Sequence, residues 1–230
     1  MFGKLFLVAT PIGNLKDMTQ RAVDTLREAD LVVCEDTRHS KTLLTAYGIN
    51  KPLFALFQGK EAGKTQRILE KLESGSNIAF ITDAGTPNVS DPGYRLVAEC
   101  SAKGIPVIPI PGPSALICAL SASGLPTDAF VFEGFPPPKS GARLRKMESW
   151  KEEPRTVIYY ESPHRIERSL EDLQKALGDI EVVLARELTK KFEEIHRARI
   201  SAHLDGFKKK PPLGEFTVLF NLRMQKDAEA

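Results

Sequence analysis

Cysteine is scarce in this sequence, and its scarcity argues against a disulfide-stabilised protein. The 230 residues contain Cys34, Cys100 and Cys118, which lie far apart and form no CxxC pair. An odd number of separated cysteines does not suit a framework of disulfides. Because all three lie in apolar stretches, we expect buried thiols in a reduced, cytoplasmic protein, with no metal site.

Long apolar runs and a large net charge are lacking as well. The N-terminal patch Leu5–Ala9 is too short for a signal peptide or a membrane span, so we expect no membrane association. The net charge of +2 is too small to indicate nucleic-acid binding by itself. With 42% hydrophobic and 27% charged residues, the composition is that of an ordinary soluble globular protein.

Strand-like and helix-like patterns alternate along the first half of the chain. Apolar runs predict strands at residues 5–9, 31–34, 53–57, 77–81 and 106–110. The helices between them carry recognisable end signals, with Thr19 as the first N-cap and Gly48 ending the second helix. Asp91 as N-cap and Pro92 as first residue are expected to start another helix. This alternation predicts a mostly parallel sheet covered by helices.

Composition breaks at Gly124–Pro126 and Pro136–Lys139 introduce the second half. Strands are predicted near residues 130–132, 156–160, 182–185 and 216–220, and helices around 143–150 and 163–177. The fold class is therefore α/β, with two α/β domains at residues 1–118 and 119–230. No long linker separates them, so we expect the domains to pack closely around a cleft.

The segment Ile81–Tyr94 is the most informative stretch of the chain. It follows a buried apolar run and contains Asp83 among glycines, prolines and short polar side chains. This composition predicts a tight turn rather than a flexible tether. Open α/β sheets bind ligands at the carboxyl ends of their strands, so the turn is a candidate site for a small polar molecule.

Five other strand ends carry polar clusters. They lie at residues 10–14, 35–39, 111–114, 161–165 and 186–191. Caps and turns explain any one of them, because such positions need Ser, Asp, Pro and Gly. Caps do not require the patterns Glu-Asp-x-Arg or Arg-Glu-x-x-Lys-Lys, however, so the six clusters together favour a site at converging strand ends.

Eight motifs occur in order along the chain: VATPIGN (8–14), EDTR (35–38), TDAGTP (82–87), SDPGYR (90–95), PGPSA (111–115), LSASGLP (120–126), ESPHR (161–165) and RELTKKFEE (186–194). Together they resemble the ribosomal RNA small subunit methyltransferase I family of the tetrapyrrole methylase superfamily. The resemblance covers essentially the whole chain. It implies two α/β domains of tetrapyrrole-methylase type with the cofactor cleft between them, S-adenosylmethionine as methyl donor, and a homodimer. The implied reaction is 2′-O-methylation of a decoding-region cytidine in 16S rRNA of the small ribosomal subunit.

The sequence departs from the family pattern at two places. Asn88 stands where the family usually has glycine. The stretch Phe57–Lys60 stands where a segment rich in histidine and asparagine is usual. The second departure puts the substrate contacts of that loop in doubt.

The donor needs acceptors for its ribose and ammonium groups and donors for its carboxylate. Asp83 and the backbone after it suit the first need. Ser114 opens a helix whose free amides favour an anion, although a plain helix cap is the alternative reading of this serine. With Pro11 and Ser162 added from the resemblance, the residues expected to bind the donor are Pro11, Asp83, Ala84, Gly85, Thr86, Ser114, Ala115 and Ser162.

Methyl transfer to a hydroxyl depends mostly on positioning, with help from a nearby base. The candidates for catalysis are Glu35, Glu187 and Lys190, since a carboxylate–lysine group could orient and deprotonate the ribose hydroxyl. The alternative is structural, in which Glu35 or Glu187 forms an ion pair with Arg38 or Arg186 across the cleft. The sequence leaves both readings open.

RNA contact would have to come from local basic clusters. The candidate substrate-binding residues are Arg38, His164, Arg165 and Lys191. Another basic cluster follows the proline-rich loop, at Lys139, Arg143, Arg145 and Lys146. Each cluster alone is most often a solvated face. Aromatic residues are sparse between these clusters, so base stacking is little expected.

Two other functions compete with the methylation of RNA. The run Gly59–Thr65 resembles a phosphate-binding loop of a nucleotide hydrolase, with Asp83 imitating the magnesium-binding acid. It has three residues between its glycines where the motif requires four, so Lys64 is better read as a solvated lysine at a helix start. Methylation of a tetrapyrrole is the third reading, which the basic clusters and the EDTR and RELTKKFEE motifs disfavour.

Overall fold

Apolar runs organise the first half of the chain around a parallel sheet. The computed structural model describes residues 1–56 and 61–229. The strands of the first sheet are β1 Leu5–Val8, β2 Leu31–Cys34, β3 Leu53–Ala55, β4 Ile78–Phe80 and β5 Val107–Ile110. Their order is β3-β2-β4-β1-β5, and every neighbouring pair is parallel. The predicted parallel sheet is confirmed.

Helices cover both faces of this sheet. They are α1 Gln20–Glu28, α2 Thr37–Ala46, α3 Glu61–Glu73 and α4 Tyr94–Ala102, with a 3-10 turn at Leu15–Asp17. Side chains alternate along β2, so Val32 packs among residues of α1 and α2 while Val33 packs among residues of α3 and α4. Burial on both faces explains why β2 is apolar throughout. Thr19 caps α1 as predicted, accepting from the Ala22 amide at 3.2 Å.

The predicted start of α4 at Asp91 and Pro92 is wrong. The helix begins at Tyr94, and its N-cap is Gly93 at φ 120° with no side-chain cap bond. A Cβ on Gly93 would lie 2.2 Å from the Phe80 ring, so this turn also needs the missing side chain. Burial raises the pKa of the Asp91 carboxyl, and a hydrogen bond with Thr82 partly offsets this effect.

The second half contains a mixed sheet. Its strands are β6 Phe130–Phe132, β7 Thr156–Glu161, β8 Glu181–Arg186, β9 Glu194–Arg199 and β10 Phe216–Phe220. Its helices are α5 Ala115–Ala122, α6 Ser140–Glu148, α7 Ile166–Leu177, α8 Ile200–Lys209 and α9 Leu222–Glu229. The strand order is β6-β7-β10-β8-β9, with only the first pair parallel. The two α/β domains are confirmed.

Contacts within the chain divide it between Ser114 and Ala115 into two units, Met1–Ser114 and Ala115–Ala230. The boundary predicted from the sequence lay between residues 118 and 119. The shift places the whole of α5 in the second unit, where it packs on β10 and β7.

Sequence patterns missed three elements, β9, α8 and α9. Strand β9 reads EIHRAR, and nearly all of its residues are exposed because it lies at the edge of the sheet. An edge strand exposed on both faces has no alternation of apolar residues to reveal it. Among the described residues, no helix combines the length and the apolar character that crossing a membrane requires.

A buried ion pair ties α6 to α7. Arg143 Nη2 lies 2.7 Å from Asp172 Oδ2, and both side chains are about 5% exposed or less. Ser140 donates to the same carboxylate oxygen at 2.8 Å, and Arg143 also donates to the Pro138 carbonyl. Burial acts to raise the pKa of Asp172, but these hydrogen bonds outweigh it and lower the pKa. Arg143 is therefore a structural residue, and its assignment to a solvent-facing RNA-binding cluster is wrong.

Arg143→Ala should destabilise the second unit by about 3–5 kcal/mol, because it leaves the buried Asp172 carboxylate with only the exposed Lys175, 3.5 Å away, as a cationic partner. Thermal unfolding of the full chain measures this loss. Arg145→Ala is the matched control, since Arg145 lies on the same helix and is exposed. The double variant Arg143→Met/Asp172→Leu should recover most of the stability. Equal midpoints for the Arg143 and Arg145 variants would show that the ion pair contributes little.

Candidate functional site

Backbone hydrogen bonds join the ends of three strands in the first unit. The Thr10 amide donates to the Gly85 carbonyl at 2.9 Å, and the Gly85 amide donates back at 3.0 Å. Thr86 Oγ1 donates to the Pro113 carbonyl at 3.1 Å. The segments after β1, β4 and β5 therefore form one surface, with Pro11 buried within it. This convergence follows from the parallel sheet, as the sequence predicted.

The turn after β4 has an unusual backbone. Asn88 and Ser90 have φ values of 71° and 65°, in the left-handed region that most residues avoid. Asparagine tolerates this region better than most side chains, because its short amide can hydrogen-bond locally. The position of Asn88, where the family usually has glycine, therefore has a conformational explanation. Such strained residues cluster at binding and catalytic sites.

Four carboxylates lie close together at the carboxyl ends of β2 and β4. They are Glu35, Asp36, Asp83 and Asp91. The Asp36 amide donates to Asp83 Oδ1 at 3.3 Å. Burial raises the pKa of Glu35, and the charges of Asp83, Asp91 and Asp36 raise it further. Burial likewise raises the pKa of Asp91, with Asp83 adding to the effect.

No cation neutralises this carboxylate cluster within the described part of the chain. In particular, no ion pair joins Glu35 to Arg38, which is exposed on α2. The ion pair of Glu35 with Arg38 that the sequence left open is therefore absent among the described residues. An uncompensated cluster of carboxylates attracts a cationic ligand, since each acid lowers the potential at its neighbours.

The start of α5 offers fewer free amides than the sequence suggested. The helix begins at Ala115, directly after Ser114. The Leu116 amide donates to the Tyr160 hydroxyl at 3.0 Å. One of the amides available to an anion is thereby already engaged by the second unit itself.

In the second unit, β7 and β8 flank β10 and end at the same edge of the sheet. Phe216 lies opposite both Glu161 and Arg186 in the two antiparallel pairings. Because β7 and β8 both run antiparallel to β10, the clusters that follow them lie at the same end of this sheet. The predicted convergence holds here although the sheet is mixed.

Lys190 sits between two acids. Its ammonium lies 2.8 Å from Glu187 Oε1 and 2.7 Å from Glu215 Oε2. Partial burial acts to lower the pKa of Lys190, but the hydrogen bonds to both acids outweigh it and raise the pKa. The hydrogen bond from Lys190 in turn lowers the pKa of Glu187. The raised pKa of Lys190 keeps its ammonium protonated. Glu187 therefore forms an ion pair with Lys190 rather than with one of the arginines that the sequence suggested. Arg186 pairs with Glu194.

The backbone around Glu187 is strained. Glu187 and Thr189 have φ values of 51° and 65°. The Glu187 side chain packs against Gly214, where a Cβ would lie 2.4 Å from its Cγ. Neighbouring Glu215 donates its amide to Glu187 Oε1 at 3.1 Å. The chain thus fixes the position of this carboxylate from two sides.

The ESPHR segment contains both a residue with a structural role, Arg165, and an exposed residue, His164. Arg165 Nη2 donates to the Pro136 carbonyl at 2.6 Å, and Arg165 Nε lies 3.3 Å from the buried Glu161 carboxylate. This guanidinium therefore holds the proline-rich loop. His164 is exposed in the turn before α7, which begins at Ile166 and not at the predicted position 163.

Lys191 and Ser162 complete the predicted set. Lys191 is exposed, with its ammonium 5.5 Å from the centre of the Phe192 ring. The Ser162 amide donates to Glu161 Oε1 at 2.9 Å, and the Ser162 carbonyl accepts from the amides of Arg165 and Ile166. Sequence reasoning missed Asp91 and Glu215 as members of these clusters. Asp91 was read as a helix cap, while Glu215 is remote in sequence from Lys190.

The phosphate-binding-loop alternative fits the structure poorly. Positions 57–60, which include Gln58 and Gly59, lie outside the described residues. Lys64 lies inside α3, and its ammonium donates to the Ala55 carbonyl at 2.9 Å. The expectation of a simply solvated lysine was therefore wrong. Within residues 1–56 and 61–229, no group of three or more His, Cys, Asp or Glu side chains is arranged to hold a metal ion.

A family model described as tetrapyrrole (corrin/porphyrin) methylases matches residues 4–203 of this chain. Close sequence relatives carry one name. The chain is 56% identical over 194 residues to ribosomal RNA small subunit methyltransferase I of Haemophilus influenzae. The aligned segment covers 84% of this chain and 69% of that protein. It is 46% identical over 219 residues to the Thermotoga maritima protein of the same name, covering 95% and 98% of the two chains.

Solved structures share the fold at low sequence identity. One is uroporphyrin-III C-methyltransferase of Thermus thermophilus in complex with S-adenosyl homocysteine. It superposes with a TM-score of 0.66 at 18% identity, covering 97% of this chain and 100% of that one. A diphthine synthase superposes with a TM-score of 0.70 at 17% identity, covering 95% and 90% of the two chains.

Glu35→Gln should raise the Tm at pH 7 and above. A carboxyl whose pKa is raised by folding costs stability while it is ionised, and glutamine removes that cost. The gain should shrink as the pH falls toward the ordinary carboxyl pKa of about 4, where wild type is protonated too. Thermal unfolding between pH 4 and 8 measures this, with the exposed Glu28→Gln as control. A lower Tm for Glu35→Gln at pH 7 would contradict the crowding of charges.

Proposed function

The chain belongs to the tetrapyrrole methylase family and, within it, to the ribosomal RNA small subunit methyltransferase I family, and on this premise we propose its reaction. We propose that it transfers a methyl group from S-adenosylmethionine to the 2′-hydroxyl of a cytidine ribose. The proposed cytidine lies in the decoding region of 16S rRNA.

The observation that carries this proposal is the carboxylate cluster at the joined strand ends of the first unit. S-adenosylmethionine carries positive charge on its sulfonium and on its ammonium group. Glu35, Asp83 and Asp91 crowd negative charge without a neutralising cation among the described residues. A cationic donor would relieve this repulsion, whereas ATP would add to it.

We assign the donor to the surface built from the segments after β1, β4 and β5. Asp83 would accept hydrogen bonds from the donor, with Ala84, Gly85 and Thr86 supplying backbone groups. The mutual hydrogen bonds of Thr10 and Gly85 hold this backbone rigid, which reduces the entropy lost on binding. Pro11, Ser114, Ala115 and Ser162 stay in the proposed donor-binding set.

The directions of the pKa shifts suggest different roles for the three catalytic candidates. A general base works best when its pKa lies near the operating pH. Burial and neighbouring acids move the pKa of Glu35 toward that range, so Glu35 is the proposed base. Lys190 stays cationic and is proposed to stabilise negative charge that develops on the ribose oxygen. Glu187 is proposed to hold the Lys190 ammonium in position.

The proposed macromolecular partner is the small ribosomal subunit. Arg38, His164 and Lys191 are exposed and available to phosphates. Arg165, engaged with the Pro136 carbonyl, is proposed to act by shaping the loop rather than as a free cation. RNA binding should weaken steeply with salt, as released counterions require. The homodimer implied by the family resemblance and the cytoplasmic location expected from the cysteines complete the proposal.

Asp83→Ala should weaken the binding of S-adenosylhomocysteine by at least about tenfold, because a hydrogen bond to a charged group contributes roughly 1.5–3 kcal/mol. Isothermal titration calorimetry measures the affinity. Asp128→Ala, at an exposed acid, is the control. Normal donor binding by the Asp83 variant would place the site elsewhere. Tight binding of ATP with magnesium, without S-adenosylhomocysteine binding, would favour the nucleotide-hydrolase alternative.

Small subunits incubated with the protein and S-adenosylmethionine should acquire one new 2′-O-methylcytidine in the decoding region. Mapping ribose methylation along the 16S rRNA measures this. Glu35→Gln should slow the reaction by roughly 100-fold or more, the usual size of a general-base contribution. Titration with S-adenosylhomocysteine separates this loss of rate from any change in donor affinity caused by removing one of the crowded carboxylates. The absence of a new mark on any ribosomal particle would favour methylation of a tetrapyrrole.

A further inference from the structure

The second unit contains a cavity that the proposed reaction does not use. It has a volume of about 280 Å³ and lies between α8, the strands β8 and β9, and the chain before β10. Leu184 and Arg186 of β8 line this cavity, whereas Glu187 and Lys190 are not among the described residues that line it. The cavity is therefore separate from the cluster of Glu187 and Lys190.

Aromatic and prolyl side chains form much of the cavity wall. Phe207 and Phe216 meet edge to face, with ring centres 6.1 Å apart. Pro211, Pro212 and Leu213 close another side, and Leu213 is 65% exposed. A volume near the lower end of the roughly 300–1,000 Å³ seen for ligand pockets suits one small ring system. A tetrapyrrole macrocycle would be too large for it.

A buried histidine gives the cavity a specific polar group. His203 is 5% exposed, and its Nε2 lies 3.2 Å from the Val182 carbonyl. Burial lowers the pKa of His203, which favours the neutral ring. A neutral ring that donates from Nε2 keeps Nδ1 as an acceptor. His196 contributes a second imidazole, with its ring centre 5.1 Å from that of His203.

A glycine in the middle of α8 keeps the cavity open. Glycine costs a helix about 1 kcal/mol relative to alanine. Gly206 lines the cavity, and a Cβ added there would meet no atom within 4 Å. Close packing therefore does not require glycine at this position. Its absence of a side chain leaves room for a ligand against the helix.

Positive charge surrounds the mouth of the cavity. Arg186 lines it and donates to the Leu213 carbonyl. Lys210 also lines it, and exposed Lys209 adjoins it at the end of α8. Glu194 pairs with Arg186 and offsets part of this charge. An apolar cavity with an imidazole acceptor and cations at its mouth matches a nucleobase joined to a phosphate.

We propose that this cavity binds one unpaired nucleobase of the RNA substrate, with a flanking phosphate at Lys210. The inference rests on the proposed function, since it names a second contact with the same RNA. The base stacks against the aromatic and imidazole rings, and His203 Nδ1 accepts a hydrogen bond from a base N–H. The site anchors the RNA at a nucleotide other than the methylated cytidine.

Photocrosslinking tests the site directly. Full-length protein is irradiated with a single-stranded RNA oligonucleotide containing 4-thiouridine, and crosslinked peptides are identified by mass spectrometry. The expected crosslink falls on a residue that lines the cavity, within residues 184–186, 194–196 or 202–216. Crosslinks confined to other regions would overturn the proposal.

Gly206→Leu adds a side chain at the cavity wall, where an added Cβ meets no atom within 4 Å. It should weaken binding of the same oligonucleotide about tenfold or more, the usual size of a lost base stack. Gly63→Leu is the matched control, because Gly63 is also a helical glycine with no atom within 4 Å of an added Cβ. Equal RNA affinity for the two variants would overturn the proposal. Thermal midpoints verify that both fold.

His203→Phe tests the polar contact separately from the volume of the cavity. Phenylalanine keeps an aromatic ring but removes Nδ1, so RNA binding should weaken less than in the Gly206 variant but measurably. S-adenosylhomocysteine titrations run in parallel. All three variants should bind it as wild type does. If the wild-type protein does not bind S-adenosylhomocysteine, the proposed function is refuted. The position of the crosslink tests the base-binding site alone.

Discussion

The pair of hydrogen bonds between Thr10 and Gly85 is the constraint on which the first unit's candidate site depends. It joins the ends of β1 and β4. With the Thr86 bond to the Pro113 carbonyl, it turns three separate loops into one surface. Parallel strands bring these loops to one edge, but only specific bonds fix their spacing. The left-handed backbone at Asn88 and the bare Cα of Gly93 complete the turn that carries Asp83.

Charge is arranged in opposite ways in the two units. In the first, Glu35, Asp83 and Asp91 crowd together, and burial raises the pKa of Glu35 and of Asp91. In the second, Lys190 lies between Glu187 and Glu215, which stabilise its protonated form. An unrelieved cluster of acids is costly to a folded protein, whereas a paired lysine is not. Such a cost is expected where a ligand supplies the missing charge.

Sequence reasoning succeeded where a residue's role depends on its neighbours in the chain. The buried strands, the Thr19 cap and the polar strand ends all follow from local pattern. It failed where distant contacts decide. Asp91 looks like a helix cap, but α4 begins at Tyr94 with Gly93 as its N-cap and no side-chain cap bond. Arg143 looks like part of a basic surface, but its side chain is buried and forms an ion pair with Asp172 on a neighbouring helix.

The sequence by itself determined the α/β fold, the family, and the strand ends at which polar groups gather, because periodicity and motif order are written along the chain. Tertiary structure alone decided which charges are compensated. It paired Lys190 with Glu215 and left Glu35 among acids. Tertiary structure also formed the cavity beside Gly206. The walls of this cavity come from segments that are separate in sequence and share no sequence pattern. Electrostatic and packing energies depend on distances in space, which the order of residues does not specify.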